Sequence, residues 1–97
     1  MNLQQMMRQA QKMQQELQEA IAQIKVDASV GGGAVTVQMD GQKNLLDLKI
    51  SPDAAGDVEM LQDLVMSAVR EGVRKVNEEI EQKVGSKMGG LGLPGLF

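Results

Sequence analysis

The 97-residue chain has room for one domain with a thin core. It has no Cys and no His, which removes disulfides, thiol nucleophiles, Cys-ligated metals, the usual general base and the commonest metal ligand. Net charge is −3, but the charge is segregated: residues 1–15 and 82–97 carry +2 each and no acid, while residues 16–81 carry −7. A polyanion responds to local fields rather than to the mean, so the basic ends stay open as a nucleic-acid surface. No apolar run approaches the roughly 20 residues of a membrane span, and the first residues have no apolar signal-peptide core. The expected location is the cytoplasm, without a membrane partner.

Residues 2–25 read as a helix. Met6, Ala10, Met13, Leu17, Ala20 and Ile24 recur at spacings of 4, 3, 4, 3 and 4, a heptad seam widened by Leu3, Met7 and Ile21. Eight Gln between Gln4 and Gln23 fill the outer positions, and neither Gly nor Pro interrupts the segment. Such a helix is about 36 Å long. A compact domain of this size has a radius of gyration near 13 Å, so the helix overhangs its own domain and a second subunit is expected to cover its seam.

The period then changes from 3.6 to 2. Val26, Ala28 and Val30 form one alternating run, Val35, Val37 and Met39 a second, and Leu46, Leu48 and Ile50 a third. Gly31-Gly32-Gly33 separates the first two and reads as a turn or bulge. Asp40-Gly41 is a hairpin signal between the second and third. Three antiparallel strands are expected, with a helix to bury their apolar face. Ser51-Pro52-Asp53 ends the sheet and starts a short turn, with Ser51 as cap, and Gly56 interrupts it. Asp57 caps a second long helix over 58–84, whose stripe is Val58, Leu61, Val65, Ala68, Gly72, Val76 and Ile80. Gly72 inside a helix points to a close crossing. The fold class is α+β, in the order α-β-β-β-α. One domain spans 1–87, followed by a flexible Gly-rich tail over 88–97.

Gly90-Leu91-Gly92-Leu93-Pro94-Gly95 matches a dinucleotide-binding pattern by letter only, since no strand precedes it and Pro94 spoils a helix start. Gly31-Gly32-Gly33-Ala34 lacks the Lys-Ser or Lys-Thr of a phosphate loop. Glu78, Glu79 and Glu81 lie on a polar helix face; Asp53, Asp57 and Glu59 suit helix starts. No catalytic set, metal, cofactor or small-molecule substrate is expected. The eight methionines suit core or dimer packing better than a flexible binding surface. Arg8 and Lys12 are like-charged i,i+4 neighbours on the first helix, either a solvated face or a polyanion contact. Arg70, Arg74, Lys75, Lys83 and Lys87 spread round the second helix without forming a stripe. Duplex DNA is one candidate partner.

Met6-Met7-Arg8-Gln9-Ala10-Gln11-Lys12-Met13-Gln14 resembles the opening helix of the YbaB/EbfC family of bacterial nucleoid-associated proteins. Glu59-Met60-Leu61-Gln62-Asp63-Leu64-Val65 resembles the start of that family's last long helix, and Gly89 to Phe97 its tail. Gly31 to Asp53 fits between them in order. The resemblance implies a homodimer with protruding helices that binds duplex DNA in the nucleoid, with effects on gene expression and nucleoid organisation and no enzymatic activity. Arg8 and Lys12 match the family's basic pair. The candidate DNA-binding residues are Arg8, Lys12, Arg70, Arg74, Lys83 and Lys87, and the candidate dimer contacts are Met6, Ala10, Met13 and Leu17. Binding is expected to rest on backbone electrostatics, with weak or shape-based sequence preference. The alternative is a protein-binding scaffold that docks through the first helix's seam.

Overall fold

Asn2 stands immediately before the first helical turn, and its side chain sets where that turn begins. In the computed structural model, which describes residues 2–88 with side chains through residue 85, Asn2 Oδ1 accepts the Gln5 backbone N–H at 2.8 Å. Gln5 Oε1 accepts the Asn2 N–H in return at 3.4 Å. This capping box satisfies two donors that a helix start otherwise leaves open. Helix α1 follows over Leu3–Ala22. It ends before the expected Gln23–Lys25, because Ile24 turns into the core beside the first strand.

Three strands follow: β1 Lys25–Val30, β2 Val35–Asp40 and β3 Leu45–Ile50. They form one antiparallel sheet in the order β1-β2-β3. Gly31, Gly32 and Gly33 close the first hairpin with φ of 63°, 66° and 96°. Three successive left-handed residues are tolerable only without a Cβ, which accounts for the glycine run. A short 3-10 helix, Pro52–Gly56, leads to helix α2, Val58–Met88. Ser51 occupies the cap position of the 3-10 helix, but its hydroxyl makes no capping bond. Its backbone takes that role, with its N–H donating to Ala34 O and its carbonyl accepting from Ala54 N. Asp57 caps α2 through Oδ1, which accepts the Met60 N–H at 3.1 Å. Helix α2 runs four residues past the expected end at 84. Beyond Met88, the tail expected to be flexible lies outside the described residues.

The core lies between α2 and the first two strands. Ile24, Val26, Met39 and Val76 make one buried cluster. Ala28, Val35, Val37 and Ala68 make the other. Each such side chain, fully buried, stabilises by about 1.5–3 kcal/mol if aliphatic and larger than Ala. Gly72 sits over β2, where a Cβ would stand 3.3 Å from Met39 Cε and 3.4 Å from Val37 Cγ2. The close crossing expected from this helical glycine is therefore present. The opposite face of the sheet is polar: Thr36 Oγ1 donates to Ser29 Oγ, and Gln38 Nε2 to Asp27 Oδ1, across the β1–β2 ladder.

Strand β3 departs from expectation. Its apolar residues share a face with Val35 and Val37, yet α2 packs on β1 and β2 and does not reach them. Leu48 and Ile50 each remain 39% exposed, and Leu45 and Leu46 more so. The ladder also shifts at Met39, which pairs with Leu45 and leaves Leu46 as the extra residue of a bulge. One helix covers two strands here, not three.

Asp40-Gly41 does lie in the second hairpin, but the turn is longer than the two-residue form those letters suggest. Lys43 N–H donates to Asp40 O, and Asp40 N–H to Asn44 O. Gly41 is absent from the left-handed region; Lys43, at φ 67°, occupies it. Gly41 is required for a different reason. A Cβ there would stand 1.9 Å from Ile21 O, so the hairpin passes against the last turn of α1 with no room for a side chain.

Candidate nucleic-acid interface

The described chain is elongated, with extents of 65 × 23 × 16 Å and a radius of gyration of 18.4 Å. Helix α1 accounts for much of this. Its last turns pack on the sheet and α2, with Met13, Leu17, Ala20 and Ile21 half-buried. Residues 2–12 are exposed throughout. So α2 of the same chain covers part of the seam, and Met6 and Ala10 stand free of that cover.

Arg8 and Lys12 lie on this projecting half, both exposed. The positions 8, 12, 15, 19 and 22 fall within about 80° of arc on an α-helix, so the face that carries them continues through Gln15, Glu19 and Ala22. That face ends at the β2–β3 turn. An open depression of about 650 Å³ lies there between α1 and Gln42, with Gln15, Gln18 and Glu19 on its wall.

The basic residues of α2 are disposed differently. Arg74 Nε donates to Glu71 Oε2 at 3.0 Å, and the guanidinium is also paired with Glu78. Hydrogen bonding to Arg74 holds the Glu71 carboxyl below its ordinary range, and the same bond raises the guanidinium. Lys75 Nζ donates to Asp27 O on β1 at 2.8 Å, tying the helix to the sheet edge. Arg70 is exposed at the level of the sheet, and Lys83 is half-buried near the far end of α2. Lys87 falls in the last turn of α2, and its side chain is beyond the described part. The six candidate cations thus do not converge: Arg8 and Lys12 share one face, whereas Arg74 is engaged by two carboxylates of its own helix. Glutamates at i−3 and i+4 are the sequence signal for that engagement.

Lys43 carries no such signal in sequence. Its turn is braced by Asp40, whose Oδ1 accepts the N–H groups of Gln42 and Asn44, both at 2.9 Å. Asp40 Oδ2 accepts Asn44 Nδ2 at 3.1 Å. These bonds, the Asn44 N–H foremost, lower the Asp40 pKa. A lowered folded-state pKa means the brace is complete above the ordinary carboxylate range and is lost as pH falls through the lowered value.

A second depression, about 450 Å³, lies between the glycine loop and Met60 and Leu64 of α2. Asp53 is the one charged residue on its wall, so the two facing carboxylates of a glycosidase-type site are not present there. Among the described residues, no three acidic side chains are grouped to hold a metal ion, and no helix is long and apolar enough to cross a membrane.

Comparison with known proteins agrees with this architecture. The YbaB/EbfC DNA-binding family matches residues 1–91. A nucleoid-associated protein of Koribacter versatilis is 51% identical over 96 residues, covering 97% of this chain and 95% of that protein. One from Alkaliphilus metalliredigens is 44% identical over 101 residues, covering 99% of this chain and 89% of that protein. The crystal structure of an uncharacterized protein from Helicobacter pylori superposes with a TM-score of 0.77 at 27% identity, covering 91% of this chain and 98% of that one. With the sequence matched from its first helix into its tail, and the α-β-β-β-α order present in the structure, the chain belongs to the YbaB/EbfC DNA-binding family.

Proposed function

We propose that this protein binds duplex DNA as a homodimer in the nucleoid, through phosphate contacts made by the projecting half of α1. The observation that carries the reading is the placement of Arg8 and Lys12. They are exposed, Arg8 with no acid within one turn of it and Lys12 with Glu16 one turn away, while Arg74 and Lys75 are held by groups of their own chain. Lys83, Lys87 and Arg70 are the secondary contacts. The names of the relatives place them at the nucleoid, which supports the same location here. Phosphate contacts carry no base code, so preference among sequences is weak or follows DNA shape. Effects on gene expression and nucleoid organisation would follow from occupancy rather than from site recognition.

Two apolar surfaces are open to the second subunit: the β3 face and the α1 seam, fully at Met6 and Ala10 and in part at Met13 and Leu17. The β3 face is the principal one. It continues the buried face of β2 past the reach of α2, and β3 is an edge strand with a free ladder of backbone groups. A two-fold axis beside such an edge lets each copy cover the other's Leu48 and Ile50. Leu48→Asp tests this, because Leu48 is exposed in the single chain and is not needed for its own core. Sedimentation is expected to show two-chain particles for the parent and folded single chains for the variant. A folded single chain in the parent at micromolar concentration would end the dimer reading.

DNA binding itself is tested by titrating labelled duplex at several salt concentrations. With about six phosphates engaged by the dimer, log affinity should fall with log salt at a slope near −5, and similarly on unrelated sequences. Binding that ignores salt, or that occurs on one sequence alone, contradicts it. Leu3, Met6 and Met7, all more than half exposed, also suit a protein-docking arm. No duplex binding at any salt would favour that reading.

A further inference from the structure

The β2–β3 turn holds a lysine where the backbone favours glycine or asparagine. Lys43 has φ 67°, the one left-handed residue other than glycine among the described residues. This conformation crowds the Cβ of an L-residue; Gly avoids the crowding, and Asn offsets it by local hydrogen bonding. The turn is nonetheless well specified. The Asp40 carboxylate is occupied by three donors from Gln42 and Asn44, and Lys43 meets Asp40 only through its backbone N–H, at 3.0 Å from the Asp40 carbonyl. The ion pairs of the described residues involve Lys49 and Arg74, not Lys43. A strained backbone position, braced by its neighbours and carrying an exposed cation, is the kind of position where function offsets strain.

Its location gives that cation a use. The turn abuts the last turn of α1 at Ile21. The α1 face bearing Arg8 and Lys12 descends through Gln15 and Glu19 to the depression beside Gln42. From Arg8 to Ile21 the helix rises about 20 Å, and from Arg8 to Lys12 about 6 Å. Both are shorter than the roughly 34 Å helical turn of B-DNA, the longer being about six-tenths of it. We infer that Lys43 is a third phosphate contact of each subunit, at the foot of the α1 face, so that one duplex backbone is held at the arm and at the turn. This rests on the duplex-binding reading above. Glu19, which accepts from Gln15 Nε2 at 3.4 Å, is the acid on this path and weakens the hold.

Lys43→Asn separates a contact from a merely tolerated turn residue. Asparagine suits the left-handed position, so the melting temperature of the variant should equal or exceed the parent's. Duplex affinity should nevertheless fall about 50-fold at 0.1 M salt, with the salt slope flatter by about two units across a dimer. Lys43→Arg keeps the charge and should keep the slope. Glu19→Gln should raise affinity. Lys49→Asn, on the opposite face of the sheet, removes the same charge from a residue paired with Asp47 at 3.9 Å and should leave the slope unchanged. An unaltered slope in Lys43→Asn would overturn the inference, as would an equal flattening in Lys49→Asn, which would mark a net-charge effect. If the parent itself binds no duplex, the functional reading fails and this contact with it. If the parent binds and Lys43→Asn binds equally, only the contact fails.

Discussion

Replacing Arg8 and Lys12 together by Ala is expected to flatten the salt dependence of duplex binding by up to about four units, one for each phosphate that the dimer no longer holds. At 0.1 M salt this corresponds to a loss of affinity of up to about three-thousandfold. The size of the effect follows from the charge layout. The body of the protein is acidic, so a duplex that loses its hold on the projecting helix meets net repulsion instead of a substitute contact. The fold should be unaffected, since both residues are exposed and lie outside the two buried clusters. Removing two like charges at i,i+4 in fact slightly favours the helix. The loss should be similar on unrelated duplexes. Titrations across a salt series, with sedimentation to establish an intact dimer, measure it. Unchanged affinity would return Arg8 and Lys12 to the status of a solvated face.

Among the described glycines, Gly41→Ala should be the most damaging addition of a single methyl group. Its Cβ would lie 1.9 Å from Ile21 O, 2.9 Å from Ile21 C and 3.0 Å from Ile21 Cγ2. Two of these are backbone atoms at the end of α1, so no rotamer change relieves the clash. Either the hairpin or the helix must move. Moving the helix separates Ile21 from the cluster of Ile24, Val26, Met39 and Val76. A destabilisation of about 3 kcal/mol is expected, or about 15 °C in melting temperature for a domain of this size. Gly56→Ala is the control, because nothing lies within 4 Å of its Cβ and its φ is not left-handed. Both should be melted at the same protein concentration, since dimerisation adds to apparent stability. Equal melting of the Gly41 variant and the parent would show that the hairpin does not abut α1 as described.

The element order is legible because hydrophobic period changes sharply between Ile24 and Val26, and again after Ile50. Gly72 and Asp57 are legible for a simpler reason: each departs from what a helix interior prefers, and each departure has one common structural cause. Strand β3 shows the boundary of such reasoning. Alternation in Leu46, Leu48 and Ile50 identifies an apolar face, but alternation is a property of one strand and says nothing about how far a helix reaches across the sheet. The bulge at Leu46 adds a register shift that no letter marks. At Gly41 the motif is right and the cause it suggests is wrong, since Asp-Gly looks the same whether glycine supplies a backbone angle or an absent side chain. Of the proposed site, the pair Arg8 and Lys12 can be read from spacing and from the absence of acids over residues 1–15. The proposed role of Lys43 cannot, because the approach of its turn to α1, Gly41 against Ile21, arises only when residues 20 apart in the chain are brought together by the hairpin.

Helix α2 passes without a break from the sheet to the level where α1 packs beside it. It has 31 residues, about 46 Å of rise, and its seat on β2 is Gly72, about 24 Å from Met88. That arrangement is a lever with its fulcrum in the core. A change of about 10° in the angle at which α2 crosses the sheet carries its distal end sideways by about 4 Å. Packed along α2, α1 is carried in the same sense. The side chains under the fulcrum, Met39 and Val37, therefore bear on the direction of the distal half of α2 as well as on the stability of the core. A shift in packing beneath Gly72 is thus magnified along the roughly 24 Å to the end of the helix.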